Sequence, residues 1–270
     1  MENIFTCYLM GGVGNQMFQV AHTIAEGLKY GKNCIFRKNS NTKMQGKDVS
    51  NYMNNIFRNI KFADNVNFDL RISEKDWSYG QLKIPENKSI EFFGYFQSSK
   101  NFNGFNDEIR DLFSPTDSIV KELKLKYPEL NQENTLSIHI RRGDCFLNPD
   151  IHPMPTVQYV KKSLDIIGNY NHIFIFTDDK IWVKENLKFE NCTYINDEDY
   201  NEMWIMSLCK NNIISNSTFS WWGSFLNKNK DKKVVAPSIW FGPRGPQNYI
   251  DIYEDNWIIV DVKYNNGFFE

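Results

Sequence analysis

A strand-like apolar segment near the middle of the chain ends in a dense group of charged side chains. The segment SIHIRRGD places His139, Arg141, Arg142 and Asp144 within six residues. An arginine guanidinium presents parallel N–H donors that fit a pair of phosphate oxygens, and a lysine does not reproduce this fork. The alternative interpretation is a surface ion pair between Arg142 and Asp144. Because the group lies at a predicted strand end, where doubly wound sheets bind ligands, we favour an anion site.

A second polar group follows a later predicted strand, in the segment IISNSTFSWWGSF. Ser217, Thr218 and Ser220 offer hydroxyl groups where a helix is predicted to begin, near Phe219. Free backbone N–H groups at a helix N-terminus also bind phosphate. Ordinary capping by Ser217 or Thr218 is the alternative, and it uses the same geometry, so both can hold. This segment is a second candidate contact for the same anion.

Two adjacent acidic residues end a third predicted strand, in the segment IFIFTDDK. Asp179 suits the N-cap of the next predicted helix. Asp178 is placed to accept hydrogen bonds from a base or a ribose, as acids at strand ends do in nucleotide-binding sheets. The pair alone supplies too few oxygen ligands to predict a metal site.

A glycine-rich turn near the N-terminus, GGVGNQMFQ, joins a predicted strand to a predicted helix. Its spacing is not G-x-G-x-x-G, and the acidic residue expected about 20 positions later is missing, which argues against NAD binding. Gly12 and Gly14 belong to the turn. Asn15 and Gln16 present amide groups that could face a diphosphate or a sugar hydroxyl.

The elements that must position these groups follow an alternation of strands and helices, which predicts parallel, doubly wound sheets. The pattern weakens from Arg37 to about Lys88, and the polar stretch from Arg37 to Asn51 is predicted to be a surface excursion. A domain boundary is predicted near Gln132. The predicted strands are Ile4–Met10, Thr135–Arg141, His172–Thr177, Cys192–Ile195, Asn212–Ser215 and Lys233–Ala236. The predicted helices are Gln16–Tyr30, Thr156–Ile167, Asp179–Leu187, Tyr200–Cys209 and Phe219–Leu226.

Bulk composition limits the function classes. Of the 270 residues, 41% are hydrophobic and 24% charged, so the chain can form a core, and the net charge of −2 without a basic run argues against nucleic-acid binding. The four histidines lack zinc-ligand spacing. Five irregularly spaced cysteines predict reduced thiols and a cytoplasmic location. The N-terminus does not match a signal peptide, and no apolar run approaches about 18 residues.

Taken together, the segments GGVGNQMFQVA, FFGYFQSS, SIHIRRGD, FIFTDD and MSLCKNNIISNSTFSWWGSFLN resemble the bacterial α-1,2-fucosyltransferases of glycosyltransferase family 11. The HxRRxD pattern falls on His139 to Asp144, and the resemblance runs from Gly11 to about Trp240. It implies an α/β fold of GT-B architecture, with two Rossmann-like domains facing across a cleft. Residues 1–131 would form the acceptor-side domain and residues 132–270 the domain that binds the GDP-sugar.

The resemblance also implies an activity and residue roles. The enzyme would transfer L-fucose from GDP-β-L-fucose to the 2-hydroxyl of a terminal galactoside, with inversion and without a metal or other cofactor. The residues assigned to catalysis are Arg141 on the β-phosphate, Arg142 beside it or locking the loop through Asp144, and Asn15 near the transferred sugar. The residues assigned to substrate binding are His139, Asp144, Asp178, Asn216, Ser217, Thr218, Ser220, Gly12, Gly14 and Gln16.

Several points stay open at the level of sequence. Glu91 and Asp144 are weak candidates for the base that takes the acceptor proton. Other functions that fit are a glycosyltransferase using another GDP-sugar such as GDP-mannose, a non-catalytic module for sugar nucleotides or glycans, and, less well, an NAD-dependent reductase. The expected acceptor is a galactose-terminated oligosaccharide or lipid-linked glycan of O-antigen or capsule biosynthesis. We expect no nucleic-acid partner and leave open peripheral contact with the inner face of the membrane.

Overall fold

Short runs of β-branched and aromatic residues form two parallel sheets, each in its own α/β unit. The structure is a computed structural model, and it describes residues 3–39 and 46–270. One unit comprises Met1–Ser114 with Asn248–Glu254, and the other Pro115–Gln247 with Asp255–Glu270. The helices found in these described ranges lack the length and apolarity that crossing a bilayer requires.

The first unit contains a parallel sheet in the order β2-β1-β6-β5, with the separate parallel pair β3-β4. Its strands are β1 (Ile4–Cys7), β2 (Asn33–Cys34), β3 (Phe36–Arg37), β4 (Phe62–Ala63), β5 (Leu70–Ser73) and β6 (Ile90–Phe93). Its helices are α1 (Val13–Tyr30) and α2 (Asn106–Phe113). Helix α1 ends where predicted, at Gly31, whose φ of 62° is the left-handed conformation that glycine adopts without strain.

The predicted surface excursion from Arg37 to Asn51 lies partly outside the described residues, and the weakly patterned region that follows it, to about Lys88, contains a strand. Residues 40–45 lie outside the described ranges, whereas β5 pairs with β6 from Leu70 to Ser73. Strand β5 is only four residues long, and most of its side chains are exposed. It forms because an edge strand needs only backbone hydrogen bonds to its neighbour, so the side-chain pattern alone does not reveal it.

The second unit contains a six-stranded parallel sheet in the order β10-β9-β7-β11-β12-β13 and a small sheet, β14-β15-β8. Its strands are β7 (Thr135–Ile140), β8 (Met154–Pro155), β9 (His172–Thr177), β10 (Cys192–Tyr194), β11 (Asn211–Ile213), β12 (Val234–Pro237), β13 (Ile258–Val260), β14 (Tyr264–Asn265) and β15 (Phe268–Phe269). Its helices are α3 (Asp117–Lys126), α4 (Val157–Ile167), α5 (Lys180–Asn186), α6 (Asp199–Leu208) and α7 (Thr218–Leu226). The predicted strand–helix alternation is confirmed here to within two residues at each end.

Strand β7 divides its side chains between two faces, as its alternation predicts. Leu136, Ile138 and Ile140 are buried in the core cluster beside α4. Ser137 lies on the other face, where its hydroxyl accepts a 2.7 Å hydrogen bond from Asn212 Nδ2. The apolar face anchors the strand, so the polar groups that follow Ile140 begin from a fixed point.

The two units divide at Ser114–Pro115, whereas the sequence placed the boundary near Gln132. Helix α3 belongs to the second unit, and at its C-terminal end Lys126 Nζ and Tyr127 Oη both donate to Asp197 Oδ2, at 2.8 and 3.0 Å. Near the C-terminus, Asn248–Glu254 returns to the first unit. The separate functions expected of the two domains stay predictions.

Candidate active site

The polar ends of three neighbouring strands meet at one edge of the second unit's sheet. Strand β7 lies between β9 and β11, and all three run parallel, so their carboxyl ends share an edge. The backbone N–H of Arg141 donates to Ser215 Oγ at 3.2 Å, and that of Arg142 donates to Asp178 Oδ1 at 2.8 Å. The structure therefore joins the three polar segments that the sequence singled out.

Asp144 forms its ion pair with Arg141. Its Nε donates to Asp144 Oδ1 at 2.9 Å and its Nη2 to Asp144 Oδ2 at 2.6 Å. Burial opposes ionisation of the Asp144 carboxyl, but the hydrogen bonds and charge of Arg141 outweigh it and lower the carboxyl pKa. The Arg141 side chain is 20% exposed, and its Nη1 group forms no hydrogen bond to any described residue. This fixed guanidinium can offer Nη1 to an anion.

Arg142 points into the protein and does not pair with Asp144, so both interpretations that joined these two residues are wrong. Its guanidinium lies 3.8 Å from the ring centroid of Trp182. Its Nη1 donates to the carbonyl of Pro155 at 3.0 Å, and its Nε to Asp179 Oδ2 at 3.4 Å. Burial lowers the pKa of this guanidinium. Adjacent residues leave the strand on opposite sides, so one arginine faces the open edge while the other packs under α5.

The two acids after β9 have different positions. Asp179 caps α5 as predicted, since its Oδ1 accepts the Trp182 N–H at 3.1 Å. Asp178 is exposed and supports the loop after β7 through the Arg142 N–H. A Cβ at Gly143 would lie 3.0 Å from a carboxylate oxygen of Asp178, so the two segments pack closely. The predicted contact of Asp178 with a nucleoside stays a prediction.

Helix α7 begins at Thr218, after the N-cap residue Ser217, whose side chain makes no capping hydrogen bond in the described structure. Capping by Ser217 is therefore wrong, and the backbone N–H groups of the first turn are not satisfied by its hydroxyl. The buried Ser220 hydroxyl donates to the carbonyls of Ser217 and Ser215, at 3.3 and 3.5 Å. The Ser220 side chain thus bonds inside the protein, which contradicts its predicted contact with a substrate.

Asn216 is also an internal residue. Its Nδ2 donates to the carbonyls of Pro153 and Trp240, both at 3.0 Å, and the side chain is buried. It therefore holds two loops beside the start of α7, and a direct contact between its Nδ2 and substrate is contradicted by these bonds. Ser217 and Thr218 remain the residues of this segment that accompany the helix N-terminus.

His139 lies under Arg141, half-buried, with its ring 5.6 Å from that of Phe219. Burial, and then the charge of Arg141, lower the pKa of the imidazole to about 3. The ring is therefore neutral at pH 7. The expectation that His139 touches the nucleoside or orients the strand end stays a prediction.

His152 is a member of this edge that the sequence did not indicate. It lies close enough to Arg141 and Asp144 for both charges to act on its pKa, which burial lowers first and Arg141 second. Its ring is 5.8 Å from that of Phe241. It sits in the irregular segment before β8, where no periodic pattern connects it to the motif, so only the folded chain reveals its position.

The glycine turn of the first unit has its left-handed residue at Gly11, with a φ of 77°. A Cβ there would lie 2.5 Å from Asn15 Nδ2, so glycine is required for the close approach. Gly12 is the extended N-cap of α1, and Gly14 is buried within its first turn. The turn therefore brings the backbone at Gly11 close to the Asn15 side chain.

The two amides after this turn face different ways. Gln16 is fully buried, and its Nε2 donates to the carbonyls of Gly11 and Lys47, at 2.9 and 3.1 Å. The expectation that the Gln16 amide faces a diphosphate or a sugar hydroxyl is therefore wrong, because the side chain is not exposed. Asn15 is half-buried, and its Oδ1 accepts a 2.9 Å hydrogen bond from Gln97 Nε2. Gln97, which the sequence did not single out, thus contacts the residue assigned to the transferred sugar.

Glu91 is fully buried between two arginines. Arg37 Nη1 lies 2.5 Å from its Oε1, and Arg71 Nε lies 2.6 Å from its Oε2. Both carboxylate oxygens are committed to these ion pairs. Glu91 is therefore a structural anion and is excluded as the base that takes the acceptor proton.

The described residues contain no group of three or more His, Cys, Asp or Glu side chains arranged to hold a metal ion. All five cysteines lie in the described ranges and are free thiols. Metal independence stays a prediction for experiment.

Comparison with known proteins identifies the family. Residues 1–261 match the family described as Glycosyl transferase family 11. The protein belongs to glycosyltransferase family 11. It is therefore a glycosyltransferase, and the recognition made from its motifs is confirmed.

Two curated relatives from Escherichia coli match nearly the whole chain. An O-antigen biosynthesis glycosyltransferase, WbnK, is 30% identical, with 94% of this chain and 99% of the relative covered. An alpha-1,2-colitosyltransferase is 29% identical, with 96% and 99% covered. A galactoside 2-alpha-L-fucosyltransferase from Caenorhabditis elegans is 24% identical over 81% of this chain and 68% of its own.

The fold is shared with solved glycosyltransferase structures. The fucosyltransferase NodZ from Bradyrhizobium matches with a TM-score of 0.55 at 11% identity, covering 84% of this chain and 94% of its own. A family 9 glycosyl transferase from Veillonella parvula has a TM-score of 0.50 at 10% identity, covering 96% and 86%. At such identities the likeness concerns the fold alone. The two α/β units with parallel sheets have the GT-B fold, which confirms the predicted fold class.

Proposed function

We propose that this family 11 enzyme transfers L-fucose from GDP-β-L-fucose to the 2-hydroxyl of a terminal galactoside, with inversion at the anomeric carbon. The observation that carries the proposal is Arg141, whose guanidinium Asp144 aligns at the carboxyl end of β7 while Nη1 is left to an anion. Family membership supports the reaction class.

The proposed donor contacts follow from where charge develops. Transfer breaks the bond between the fucosyl C1 and the β-phosphate oxygen, and the bonding electrons go to the phosphate. Donors aimed at that oxygen stabilise the transition state more than the ground state. We assign Arg141 Nη1 and the first backbone N–H groups of α7, near Ser217 and Thr218, to the diphosphate.

Asp144 acts in this proposal by orienting Arg141. A guanidinium held by two hydrogen bonds does not need to be reoriented during the reaction, and this alignment before the reaction is what makes electrostatic catalysis effective. Three carboxylates, those of Asp144, Asp178 and Asp179, contact Arg141 or Arg142. A local excess of positive charge therefore does not explain how this edge would attract the diphosphate. Attraction depends on the aimed donors instead, which makes their geometry decisive.

The rest of the reaction places fewer demands on the described residues. The acceptor oxygen forms the new bond to C1 from the face opposite the leaving phosphate, and its proton passes to a base or to solvent. Glu91 is excluded as that base, and Asp144 already serves Arg141. We propose that no metal participates and that the acceptor is a galactose-terminated glycan of O-antigen or capsule assembly in the cytoplasm.

A second donor deserves a test because a relative at 29% identity is named an alpha-1,2-colitosyltransferase. Colitose lacks the 3-hydroxyl of fucose, so the two GDP-sugars present the same diphosphate to Arg141. A site that forms a hydrogen bond with the 3-hydroxyl of fucose discriminates strongly against colitose, because the polar group of the site is then left unpaired. A site without that hydrogen bond discriminates only weakly against fucose, the sugar with the additional hydroxyl. Competition between GDP-fucose and GDP-colitose for the same acceptor separates the two proposals.

The direct test is transfer from GDP-fucose to a panel of β-galactosides with EDTA present, followed by assignment of the linkage by NMR. The expected product carries fucose in α-linkage on the 2-hydroxyl of galactose, because the β-linked donor is inverted. No transfer to any galactoside, or a β-linked product, would contradict the proposed function. Loss of turnover on chelation would contradict its metal independence.

A further inference from the structure

A rigid turn lies beside Asn15 at the carboxyl edge of the first unit's sheet. The turn runs from Gly94 to Gln97, directly after β6, and the carboxylate of Glu74 holds it. Glu74 Oε2 accepts the Tyr95 N–H at 2.8 Å, and Oε1 accepts the Phe96 N–H at 3.0 Å. Phe96 has a φ of 53°, a left-handed conformation that a bulky residue rarely adopts. Such strain persists where the surroundings impose it, and it is concentrated at functional sites.

The loop that carries Glu74 is fixed at its other end as well. Asn248 Nδ2 donates to Asp76 Oδ2 at 2.8 Å, and the Tyr79 N–H donates to Asp251 Oδ2 at 2.8 Å. Lys100 Nζ also contacts Asp251 Oδ1. The chain segment that returns to the first unit therefore holds the loop after β5 in one position against the turn.

These two segments present an aromatic pair. The rings of Trp77 and Tyr95 stack with their centroids 5.3 Å apart and an angle of 23° between the planes. Both residues are partly exposed, and the backbone beneath them is fixed by the bonds described above. Aromatic side chains with an apolar body and a polar end suit ligands that are both apolar and hydrogen-bonding, as the C–H and O–H groups of a sugar ring are.

Gln97 connects this pair to Asn15. Its side chain is 7% exposed, its Nε2 donates to Asn15 Oδ1, and its Oε1 has no hydrogen-bond partner among the described residues. A buried oxygen without a partner destabilises the fold, so an apolar residue of the same size would suit the core better. The bond also fixes the orientation of the Asn15 amide, since the oxygen faces Gln97 and the nitrogen lies near Gly11.

We propose that Trp77 and Tyr95 form the binding subsite for the pyranose ring of the acceptor glycan, and that Gln97 positions Asn15 beside it. The acceptor platform, as we name Trp77 and Tyr95, packs against the C–H face of the sugar. Gln97 acts through Asn15, whose amide nitrogen it directs as a hydrogen-bond donor. The inference rests on the proposed function, because it names the place where that reaction's second substrate binds.

The platform is tested by Trp77→Ala, with Trp77→Phe as the conservative variant. Tyr79→Ala is the matched control, since Tyr79 is an exposed aromatic residue of the same loop whose backbone N–H, and not its ring, holds Asp251. Trp77→Ala should raise the acceptor KM by roughly tenfold, the value expected for one aromatic contact, and leave the donor KM unchanged. Trp77→Phe should restore most of the affinity, and Tyr79→Ala should match the wild type.

Gln97→Met tests the positioning role with a readout that a structural role would not give. We expect kcat to fall by about tenfold, as for one misplaced hydrogen-bonding group, while the acceptor KM is unchanged. The melting temperature should stay the same or rise, because the unpaired oxygen is gone. A residue needed only for folding would show the opposite, a lower melting temperature with normal kcat.

The outcomes separate this inference from the proposed function. Transfer of fucose by the wild-type enzyme is measured first, and its absence overturns the proposed function. If transfer occurs, an unchanged acceptor KM in Trp77→Ala overturns the platform, and wild-type kcat in Gln97→Met overturns the positioning role. Saturation-transfer NMR with the best β-galactoside and no donor present should show a signal that Trp77→Ala loses and Tyr79→Ala keeps.

Discussion

Replacing the two adjacent arginines one at a time should produce opposite effects. Arg141 is aligned by Asp144 and leaves Nη1 without a described partner, whereas Arg142 is packed against Trp182. Arg141→Ala should therefore lower turnover and keep the fold, and Arg142→Ala should weaken the fold. The chain itself thus supplies the control, an arginine one residue away in the same motif.

The expected size of the Arg141 effect follows from the hydrogen bonds lost. A charge-assisted hydrogen bond that is left unmade costs about 1.5–3 kcal/mol, and about 1.4 kcal/mol corresponds to tenfold in rate. Arg141→Ala should lower kcat/KM by roughly a hundredfold or more. Arg141→Lys should also be impaired, because an ammonium cannot bind both Asp144 oxygens and an anion in the geometry of the fork.

The expected size of the Arg142 effect follows from its surroundings. The desolvated contact with Trp182 contributes about 2 kcal/mol to stability. The Pro155 carbonyl would also lose its donor, so Arg142→Ala should lower the free energy of unfolding by about 3 kcal/mol in total. A loss of about 3 kcal/mol lowers the melting temperature by roughly 6–12 °C for a unit of this size. The kcat of the folded fraction should fall much less than in Arg141→Ala.

The assay combines initial rates of GDP release in the presence of acceptor with melting curves by circular dichroism. Rates are normalised to the folded fraction at the assay temperature. Near-normal turnover in a folded Arg141→Ala protein would refute the assignment of Arg141 to the phosphate. An Arg142→Ala protein with unchanged melting temperature and a hundredfold lower rate would show that the packing interpretation of Arg142 is wrong.

Three further results are expected. Burial lowers the pKa of His22 to about 3, so the unfolded chain takes up a proton that the folded protein excludes, and stability should fall as the pH decreases below 6.5. By pH 5 this proton uptake lowers the free energy of unfolding by about 2 kcal/mol. Urea unfolding at pH 7 and pH 5 should show that His22→Leu lacks this pH dependence. The same pH dependence in His22→Leu and in the wild type would contradict the prediction. Glu91→Gln should cost roughly 2–3 kcal/mol of stability with kcat retained in the folded fraction, whereas loss of kcat in a stable variant would restore Glu91 as a candidate base. Excess EDTA should leave the initial rate unchanged, and a rate restored only by added Mg²⁺ or Mn²⁺ would refute metal independence.

Local patterns in the sequence were sufficient for the order of strands and helices in the second unit. Strand β9 has the predicted bounds, and α7 begins one residue from its predicted start. These elements have buried apolar runs or a helical period, which depend on nearby residues only. Strand β5 and the return of Asn248–Glu254 to the first unit were not found, because each depends on partners far along the chain.

The candidate site divides in the same way. The residue types of HxRRxD and of the SNSTFS segment are enough to predict an anion site at a strand end, since guanidinium forks and helix N-termini bind phosphate whatever surrounds them. The direction in which each side chain points is a different matter. Gln16, Asn216 and Ser220 looked available, yet all three bond inward to backbone carbonyls.

The amino-acid sequence by itself determined the alternation of elements and the motif that carries the two arginines, because these follow from residue type and spacing. The reaction class came from the resemblance of its motifs to glycosyltransferase family 11. Only the tertiary structure decided that Arg141 is the open arginine, that Trp182 from α5 covers Arg142, and that Gln97 holds Asn15. The physical reason is that a side chain's availability depends on which groups from distant segments bury or pair it. Those neighbours are separated along the chain by 40 residues for Arg142 and Trp182, and by 82 for Gln97 and Asn15.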